Sequence, residues 1–504
     1  MRRAHETAPD EHRTPLDGPS GPVGGYLAAV RSRLTALALV SVLVVGACGS
    51  DDDSASPATT AAPAETDAPA DTEPAGTEPE PTTEPATTEP AATDAPTTEA
   101  PAEIELAAFE PIEPGAYDVG VQTITIDADG ERPLTLDVWF PIDDVGDAPL
   151  HQYTLLPGVF YESPSAVSAT PDQLSADGPF PLVVYSHGSG GIRYVASDYT
   201  ESIASHGYIV AAPDHTGNTA VDGFACTVTP FEVTAFNRPN DVIAVIDSLT
   251  DPTRPETAEL VVGIDPEQIA VTGHSFGGFT TYAVASGYDN EIGAVEADPR
   301  VDALISLAPA VGGERPPSDD EADEGDGQGD EASEADEAAD DPCADEEDDT
   351  AAADPIAEDA DAARGNTLLS DERLASIDLP AMVIVGTDDA STPVVPNVTR
   401  VWELTASEPH YRVELVAGQH QSFTDVCAYL EVLPTVPQAV QDVIAPTIES
   451  QATEGCGPEI MPIERAQELT NTFAITFLDS VFSDGEMIDA AVTEIPDDVV
   501  FMAK

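Results

Sequence analysis

The sequence predicts an α/β fold in which helices cover both faces of a mainly parallel β-sheet. Two observations support this prediction. Short runs rich in valine, isoleucine and leucine alternate along the chain with segments of helical periodicity. These runs have the length and composition of buried strands, and their alternation with helices is typical of a parallel sheet between two helical layers. In such a sheet, ligands bind at the carboxyl ends of the strands.

The predicted elements begin with a hairpin. Residues 119–126 and 134–140 are rich in strand-forming residues and flank the turn pair Asp129-Gly130. Later strands are predicted at residues 181–185, 208–212, 268–272, 301–307, 381–385 and 411–416, and helices at residues 198–206, 241–249, 279–285 and 466–482. This order of elements predicts one large domain over residues 104–504.

The charge of the chain excludes some partners. Its 504 residues include 95 acidic and only 17 basic side chains, for a net charge of −78. Nucleic-acid phosphates are bound by clustered Lys and Arg, so we predict no nucleic-acid partner. Two segments, residues 49–103 and 318–363, are strongly acidic and poor in large apolar side chains. We predict that the first is a disordered tether and the second a disordered surface insertion, because neither can bury enough apolar surface to fold.

Residues 1–47 have the features of a signal region. Arg31 and Arg33 precede the apolar run 34–45, which is too short to span a bilayer but suits the core of a signal peptide. The residues before Arg31 are polar and unlike the start of such a signal, so we predict that translation begins near Val30.

The apolar run ends in Val45-Gly46-Ala47-Cys48. These residues resemble the lipobox of bacterial lipoproteins, in which the cysteine carries a lipid and becomes the mature N-terminus. We therefore expect an exported protein that is anchored to the outer side of the cell membrane through Cys48. An ordinary secretory signal, which would give a secreted protein, is the alternative.

A nucleophile motif follows the predicted strand 268–272. The sequence Gly273-His274-Ser275-Phe276-Gly277-Gly278 leads directly into a predicted helix. In a Gly-x-Ser-x-Gly turn of this kind, the flanking glycines avoid clashes and the serine hydroxyl projects at the top of the sheet. The following helix N-terminus offers free amides to a developing oxyanion. Ser275 is therefore the predicted nucleophile, and an incidental serine is the alternative.

A serine nucleophile needs a histidine base and a carboxylate that orients it. Candidates for both follow Ser275 in the order acid then histidine, which is the order of this architecture. Asp389 lies just after the strand 381–385, and His420 lies just after the strand 411–416. Because each follows a strand that we expect to be parallel to the strand before Ser275, the three side chains should meet at one edge of the sheet.

A glycine-rich loop, His187-Gly188-Ser189-Gly190-Gly191, follows the strand 181–185 at the same predicted edge. We assign the oxyanion donors to the backbone N–H groups of Ser189 and Phe276. A tight turn that merely needs glycine is the alternative interpretation.

Four blocks of the sequence carry a family likeness, and they span residues 180–188, 203–215, 273–278 and 420–425. Together they resemble the platelet-activating factor acetylhydrolase family of α/β-hydrolases. Bacterial cutinase-like polyester hydrolases and dienelactone hydrolases are nearby relatives. The likeness covers most of residues 117–482, and it implies an α/β-hydrolase fold and the hydrolysis of carboxylic esters.

One departure from the family concerns the acid. The acetylhydrolases place it after the sixth strand, where this chain has Ile-Ser-Leu-Ala at residues 305–308. The acid is therefore assigned to Asp389, as in the cutinase-like enzymes. Asp389 is preferred to Asp388 because it lies four residues before Pro393, which is the spacing of the usual acid loop. Dienelactone hydrolases use a cysteine nucleophile, which Ser275 excludes here.

Four cysteines remain when the one in the lipobox is set aside. An even number in an exported protein predicts disulfides, and we favour Cys427 with Cys456 and Cys226 with Cys343. No cysteine or histidine spacing suggests a metal, and residues 324–327 do not match a calcium loop. We therefore predict neither a metal nor another cofactor.

The sequence thus predicts an exported serine hydrolase of carboxylic esters that acts as a monomer on substrates with an apolar acyl group. The pocket is predicted at Ser189, Ile192, Tyr194, Phe276 and residues 216–236. One alternative is a surface protein that uses the hydrolase fold as a binding module without catalysis. The other is a peptidase that uses the same three residues.

Overall fold

A computed structural model describes residues 107–128, 132–156, 158–312, 367–483, 485–490 and 493–504. These residues belong to one compact unit, Glu105–Lys504. The predicted signal region, Cys48, the tether 49–103 and the insertion 318–363 lie outside the described residues. Within the described part of the chain, no helix combines the length and apolar character needed to cross a bilayer.

Thirteen strands are found in the described residues. They are β1 Asp118–Asp127, β2 Pro133–Ile142, β3 Leu150–Leu156, β4 Val159–Ser168, β5 Phe180–Ser186, β6 Ile209–Pro213, β7 Ile264–His274, β8 Tyr288–Asp289, β9 Ala294–Val295, β10 Ala303–Leu307, β11 Ala381–Gly386, β12 His410–Leu415 and β13 Val499–Ala503. Eleven of them form one sheet in the order β13-β12-β11-β10-β7-β5-β6-β2-β1-β4-β3, while β8 and β9 pair separately.

The centre of the large sheet is parallel. Strands β12, β11, β10, β7, β5 and β6 each run parallel to their neighbours in this row. Antiparallel pairs flank this centre, with β13 on β12 at one end and β2 on β6 at the other. The predicted N-terminal hairpin is confirmed, since β1 and β2 pair antiparallel from Asp118↔Ile142 to Asp127↔Pro133.

Ten α-helices are found in the same residues. They are α1 Ser197–Ser205, α2 Ala220–Ala225, α3 Phe231–Thr250, α4 Ala258–Val261, α5 Phe276–Ser286, α6 Asp371–Ala375, α7 Thr399–Leu404, α8 Val426–Val432, α9 Gln438–Ala452 and α10 Ile463–Phe482.

Apolar side chains cover both faces of the sheet. Successive strand residues point to opposite faces, and β5 shows how this divides the core. Val183 and Tyr185 belong to a cluster that includes side chains of α1 and α10. Leu182 and Val184 belong to a second cluster that includes side chains of α3 and α5. The predicted α/β architecture with two helical layers is therefore confirmed.

Several elements differ from the prediction. Helix α3 begins at Phe231, ten residues before the predicted start, and continues through Pro239. Because a proline inside a helix removes one backbone hydrogen bond, helix propensity disfavours a continuous helix through Pro239. The helix forms there because Ala235, Arg238 and other side chains of its first turns are buried. Strands β3, β4 and β13 and helices α8 and α9 are not among the predicted elements.

A disulfide joins helix α8 to the chain just beyond helix α9. Cys427 in α8 is bonded to Cys456, 29 positions later, as the sequence analysis favours. Cys226 is also in a disulfide, and its predicted partner, Cys343, lies outside the described residues.

Removing the Cys427–Cys456 bond should destabilise the protein. The double variant Cys427→Ser/Cys456→Ser should lose about 3 kcal/mol of unfolding free energy, because a cross-link over a loop of this length restricts the unfolded chain. Urea unfolding of wild type and variant measures this difference. Thr453→Ser, an exposed change in the same loop, is the control and should shift stability by less than about 0.5 kcal/mol. Equal stabilities of the double variant and the control would contradict the prediction.

Candidate active site

The predicted nucleophile lies in the turn between β7 and α5. Ser275 has φ 57° and ψ −117°, a backbone conformation that residues with a side chain rarely adopt. The turn is held from the neighbouring strand, because the N–H of Ser275 donates a hydrogen bond of 2.9 Å to the carbonyl of Leu307. The turn therefore keeps the serine hydroxyl at the carboxyl edge of the sheet.

The glycines of the motif allow a close approach of backbones. A Cβ atom on Gly277 would lie 1.8 Å from the carbonyl oxygen of Ser186, and one on Gly273 would lie 2.4 Å from the oxygen of Gly277. Both distances are well below van der Waals contact, so any side chain at either position would push α5 away from the sheet. This is the physical reason for the Gly-x-Ser-x-Gly spacing.

The structure brings Ser275, His420 and Asp389 together in one line of hydrogen bonds. His420 Nε2 lies 2.9 Å from Ser275 Oγ, and His420 Nδ1 lies 2.9 Å from Asp389 Oδ2. Because an ionised carboxylate can only accept, Nδ1 carries the proton and Nε2 is free to accept one from the serine. The three residues follow β7, β12 and β11, whose carboxyl ends lie at the same edge of the parallel sheet.

The surroundings of Asp389 keep it ionised. Burial alone would raise the pKa of its carboxyl group, but attraction to His420 and hydrogen bonds from His420 and Thr392 outweigh this and lower the pKa. The Thr392 amide donates to Oδ1 over 2.7 Å, and its hydroxyl lies 2.9 Å from Oδ2. The alternative acid, Asp388, is exposed, so the geometry favours Asp389.

His274 contacts the base, which the sequence analysis missed. His274 is the last residue of β7 and directly precedes Ser275. Its side chain is buried, but Nε2 lies 2.8 Å from the backbone carbonyl of His420 and donates to it. Burial and the nearby His420 lower the pKa of His274 to about 3, so its ring stays neutral. His274 thus helps to hold the backbone of His420, and no signal in the sequence reveals this contact.

The two predicted oxyanion donors border the cavity at Ser275. Ser189 lies in the loop after β5, and Phe276 is the first residue of α5. Among the described residues, no acceptor is found for the backbone N–H of either residue, so both amides are available to a ligand. Their assignment as oxyanion donors stays a prediction that this geometry favours.

The cavity has a volume of about 170 Å³ and is lined by both apolar and polar side chains. Its apolar side chains are Val195, Phe231, Phe276 and Ala310, and its polar side chains away from the reacting groups are Ser391, Gln421, Thr424, Gln451 and Glu454. The predicted pocket is therefore right for Ser189 and Phe276 and for one residue of the segment 216–236. It is wrong for Tyr194, which is buried and stacks on Tyr153 with ring centroids 4.8 Å apart. Ile192 packs against the hydrophobic core cluster that includes Tyr194.

A polar wall of the cavity is formed by residues that the predicted pocket did not include, namely Ser391, Gln421 and Glu454. The Ser391 hydroxyl donates to the carboxylate of Glu454, at 2.8 Å from Oε2. The backbone N–H of Gln421 donates to the backbone carbonyl of Glu454 over 2.7 Å. Glu454 lies just beyond α9 and two residues before Cys456, so the disulfide to Cys427 ties this wall to α8.

Among the described residues, no group of three or more His, Cys, Asp or Glu side chains is placed so that it could hold a metal ion.

Part of the chain matches a known protein family. The family model of platelet-activating factor acetylhydrolase, isoform II, matches residues 160–244. The platelet-activating factor acetylhydrolase of Bos taurus is 36% identical over 63 residues, which are 12% of this chain and 14% of that protein. The chain thus spans about 14% of the length of this curated relative.

The fold has solved counterparts. The structure of a ferulic acid esterase from Streptomyces cinnamoneus superposes with a TM-score of 0.50 at 20% sequence identity, covering 80% of this chain and 100% of that chain. The mainly parallel sheet, the strained serine turn after β7 and this likeness lead to one conclusion: the chain has an α/β-hydrolase fold, and its residues 160–244 match the platelet-activating factor acetylhydrolase family.

Proposed function

We propose that the protein is a serine hydrolase that cleaves carboxylic esters through a covalent acyl-enzyme. The observation that carries this proposal is the continuous line of hydrogen bonds from Ser275 through His420 to Asp389 beside an open cavity. The matched proteins are named an acetylhydrolase and an esterase, which agrees with the proposal. A binding module would not require these three side chains to be aligned, so the alignment favours an enzyme.

In the proposed first half-reaction, Ser275 Oγ attacks the ester carbonyl while His420 Nε2 takes its proton. The negative charge that develops on the carbonyl oxygen accepts hydrogen bonds from the backbone N–H groups of Ser189 and Phe276. Asp389 stabilises the positive imidazolium ring. His420 then returns the proton to the leaving alcohol oxygen as the carbon–oxygen bond breaks.

In the second half-reaction, water replaces the alcohol. His420 Nε2 takes a proton from the water as its oxygen attacks the acyl carbon. The bond to Ser275 Oγ breaks, and the proton passes from His420 to the serine oxygen. The products are the carboxylic acid and the free enzyme.

The polar and apolar side chains that line the cavity suit the two halves of an ester. His420 must reach the leaving oxygen, so the alcohol part should lie on the His420 side of the cavity, which Gln421 and Glu454 border. The acyl part should then lie against the stacked rings of Phe231 and Phe276, which also line the cavity. We therefore propose an apolar acyl group, joined to an alcohol that carries hydrogen-bond donors or a positive charge.

Neutralising Glu454 should weaken the preference for a positively charged alcohol. We expect Glu454→Gln to lower the ratio of kcat/KM for butyrylcholine to that for its uncharged isostere, in which a tert-butyl group replaces the trimethylammonium group, by about fivefold. The side chain is partly exposed, so solvent screening limits the effect. Asp442→Asn, the same charge change at an exposed position of α9, should leave the ratio unchanged. A ratio that is equal in wild type and Glu454→Gln would refute this specificity.

We also propose that the protein is exported and carries a lipid on Cys48. This rests on the sequence of residues 31–48 alone. The lipid would hold the protein at the membrane, and the acidic segment 49–103 would keep the catalytic domain away from the lipid surface. Mass analysis of the mature N-terminus tests the proposal, and residues that remain before Cys48 would contradict it.

A further inference from the structure

A buried arginine lies directly behind the loop that carries one predicted oxyanion donor. Arg238 in α3 is fully buried, although it is one of only 17 basic residues in a chain with 95 acidic ones. Its Nη1 donates to the carbonyl of His187 over 2.6 Å, and its Nη2 donates to the carbonyl of Gly188 over 2.8 Å. Both carbonyls belong to the glycine-rich loop after β5.

The second of these bonds acts on the peptide group that contains the oxyanion donor. The Gly188 carbonyl and the Ser189 N–H belong to the same planar, trans peptide, so they point in opposite directions. A donor held against the carbonyl therefore fixes the direction of the N–H. A positive charge at the oxygen also polarises the peptide, which makes its N–H a stronger donor.

The same guanidinium contacts the residue that carries the other donor. Its central carbon lies 4.7 Å from the ring centroid of Phe276, within the range of a cation–π interaction. The Phe276 ring also stacks on Phe231, with centroids 5.3 Å apart. One cation thus contacts the peptide that contains the Ser189 amide, through the Gly188 carbonyl, and also the ring of Phe276.

Asn218 fixes the position of the guanidinium. Its Oδ1 accepts hydrogen bonds from Arg238 Nε over 3.0 Å and from Nη2 over 2.8 Å. Its Nδ2 donates to the hydroxyl of Ser189 over 3.2 Å. The side chains of Arg238 and Asn218 therefore hold the loop from two directions, and little reorganisation is needed when charge develops on the substrate.

We propose that Arg238 is a positioning residue of the oxyanion hole, which aligns and polarises the Gly188–Ser189 peptide toward the carbonyl oxygen of the substrate. This inference rests on the proposed ester hydrolysis. A purely structural role would predict equal losses of rate on all substrates. The positioning role instead predicts a loss of rate that depends on the atom that becomes the oxyanion.

The test compares an ester with its thionoester, in which sulfur replaces the carbonyl oxygen. Sulfur is a poor hydrogen-bond acceptor, so a thionoester gains little from a well-aligned donor. For Arg238→Lys and Arg238→Gln, we expect kcat for p-nitrophenyl butyrate to fall by about 10- to 100-fold, with KM within about twofold of wild type, since loss of one donor typically costs 10²–10³ in rate. For the thionoester we expect a fall of less than about threefold. Equal losses on both substrates, or no loss on the ester, would overturn the proposal.

Arg412→Gln is the matched control, since Arg412 is also largely buried but pairs with Glu414 on β12. It should change both substrates equally. If the Arg238 variants do not fold, Asn218→Ala frees the guanidinium without removing it and should lower the ester rate selectively by about three- to tenfold. An unchanged ratio of ester to thionoester rates in Asn218→Ala would then overturn the proposal. A wild type without ester hydrolysis would instead defeat the proposed function.

Discussion

Replacing Ser275 with alanine should reduce kcat for p-nitrophenyl butyrate by about 10⁴-fold or more, because the variant cannot form an acyl-enzyme. The residual rate would come from the remaining oxyanion donors and from substrate binding. KM should stay within about threefold of wild type, since a hydroxyl-to-hydrogen change leaves the walls of the cavity intact. Steady-state kinetics measure both constants, and mass spectrometry should detect a butyryl group on wild type but not on the variant.

Ser286→Ala is a suitable control for this experiment. Ser286 is the last residue of α5, the helix that begins directly after the nucleophile, and its hydroxyl donates to the carbonyl of Tyr282. This variant should keep at least about half of the wild-type rate, because a lost hydrogen bond of this kind affects stability modestly. If Ser275→Ala kept more than one hundredth of the wild-type rate, another group would have to be the nucleophile.

Asp389→Asn should lower kcat by about 10³- to 10⁴-fold. An asparagine amide can donate to His420 Nδ1, which places the ring proton on Nε2, where the base must be free to accept the proton of Ser275. The side-chain volume hardly changes, so the fold and KM should be preserved. Kinetics and thermal unfolding of the same preparations separate these effects.

The neighbouring carboxylate provides a matched control for this variant. Asp388 is exposed, and its Oδ1 accepts only a local hydrogen bond of 3.1 Å from the Thr387 hydroxyl among the described contacts. Asp388→Asn should therefore stay within about twofold of wild type. A greater loss in Asp388→Asn than in Asp389→Asn would reverse the assignment of the acid.

The strongest predictions from sequence concern residues that follow strands. Ser275, Asp389 and His420 could be proposed together because each comes just after a buried apolar run, and parallel strands end at the same edge of a sheet. The turn residues carry further information, since Gly273 and Gly277 are required by contacts of their own backbone. Such local signals do not depend on how the rest of the chain packs.

Residues that act across large sequence separations could not be predicted in this way. Arg238 contacts the loop about 50 positions before it, and Glu454 contacts Ser391 63 positions before it. Tyr194 was predicted in the pocket, yet its ring is in the core because β3 and β4 cover that side of the fold. A hydrophobic pattern reveals whether a side chain is buried but not which neighbour it meets.

The sequence by itself determined the α/β class, the order of the central strands along the chain and the three residues proposed for catalysis. Strand periodicity and turn chemistry are local properties, so they are legible in a single chain. Only the tertiary structure decided what surrounds those residues: the buried guanidinium behind the Gly188–Ser189 peptide, the His274 contact to His420 and the polar wall at Glu454. These contacts join segments that are far apart in sequence, and packing of the whole sheet and its helices sets the distances between them.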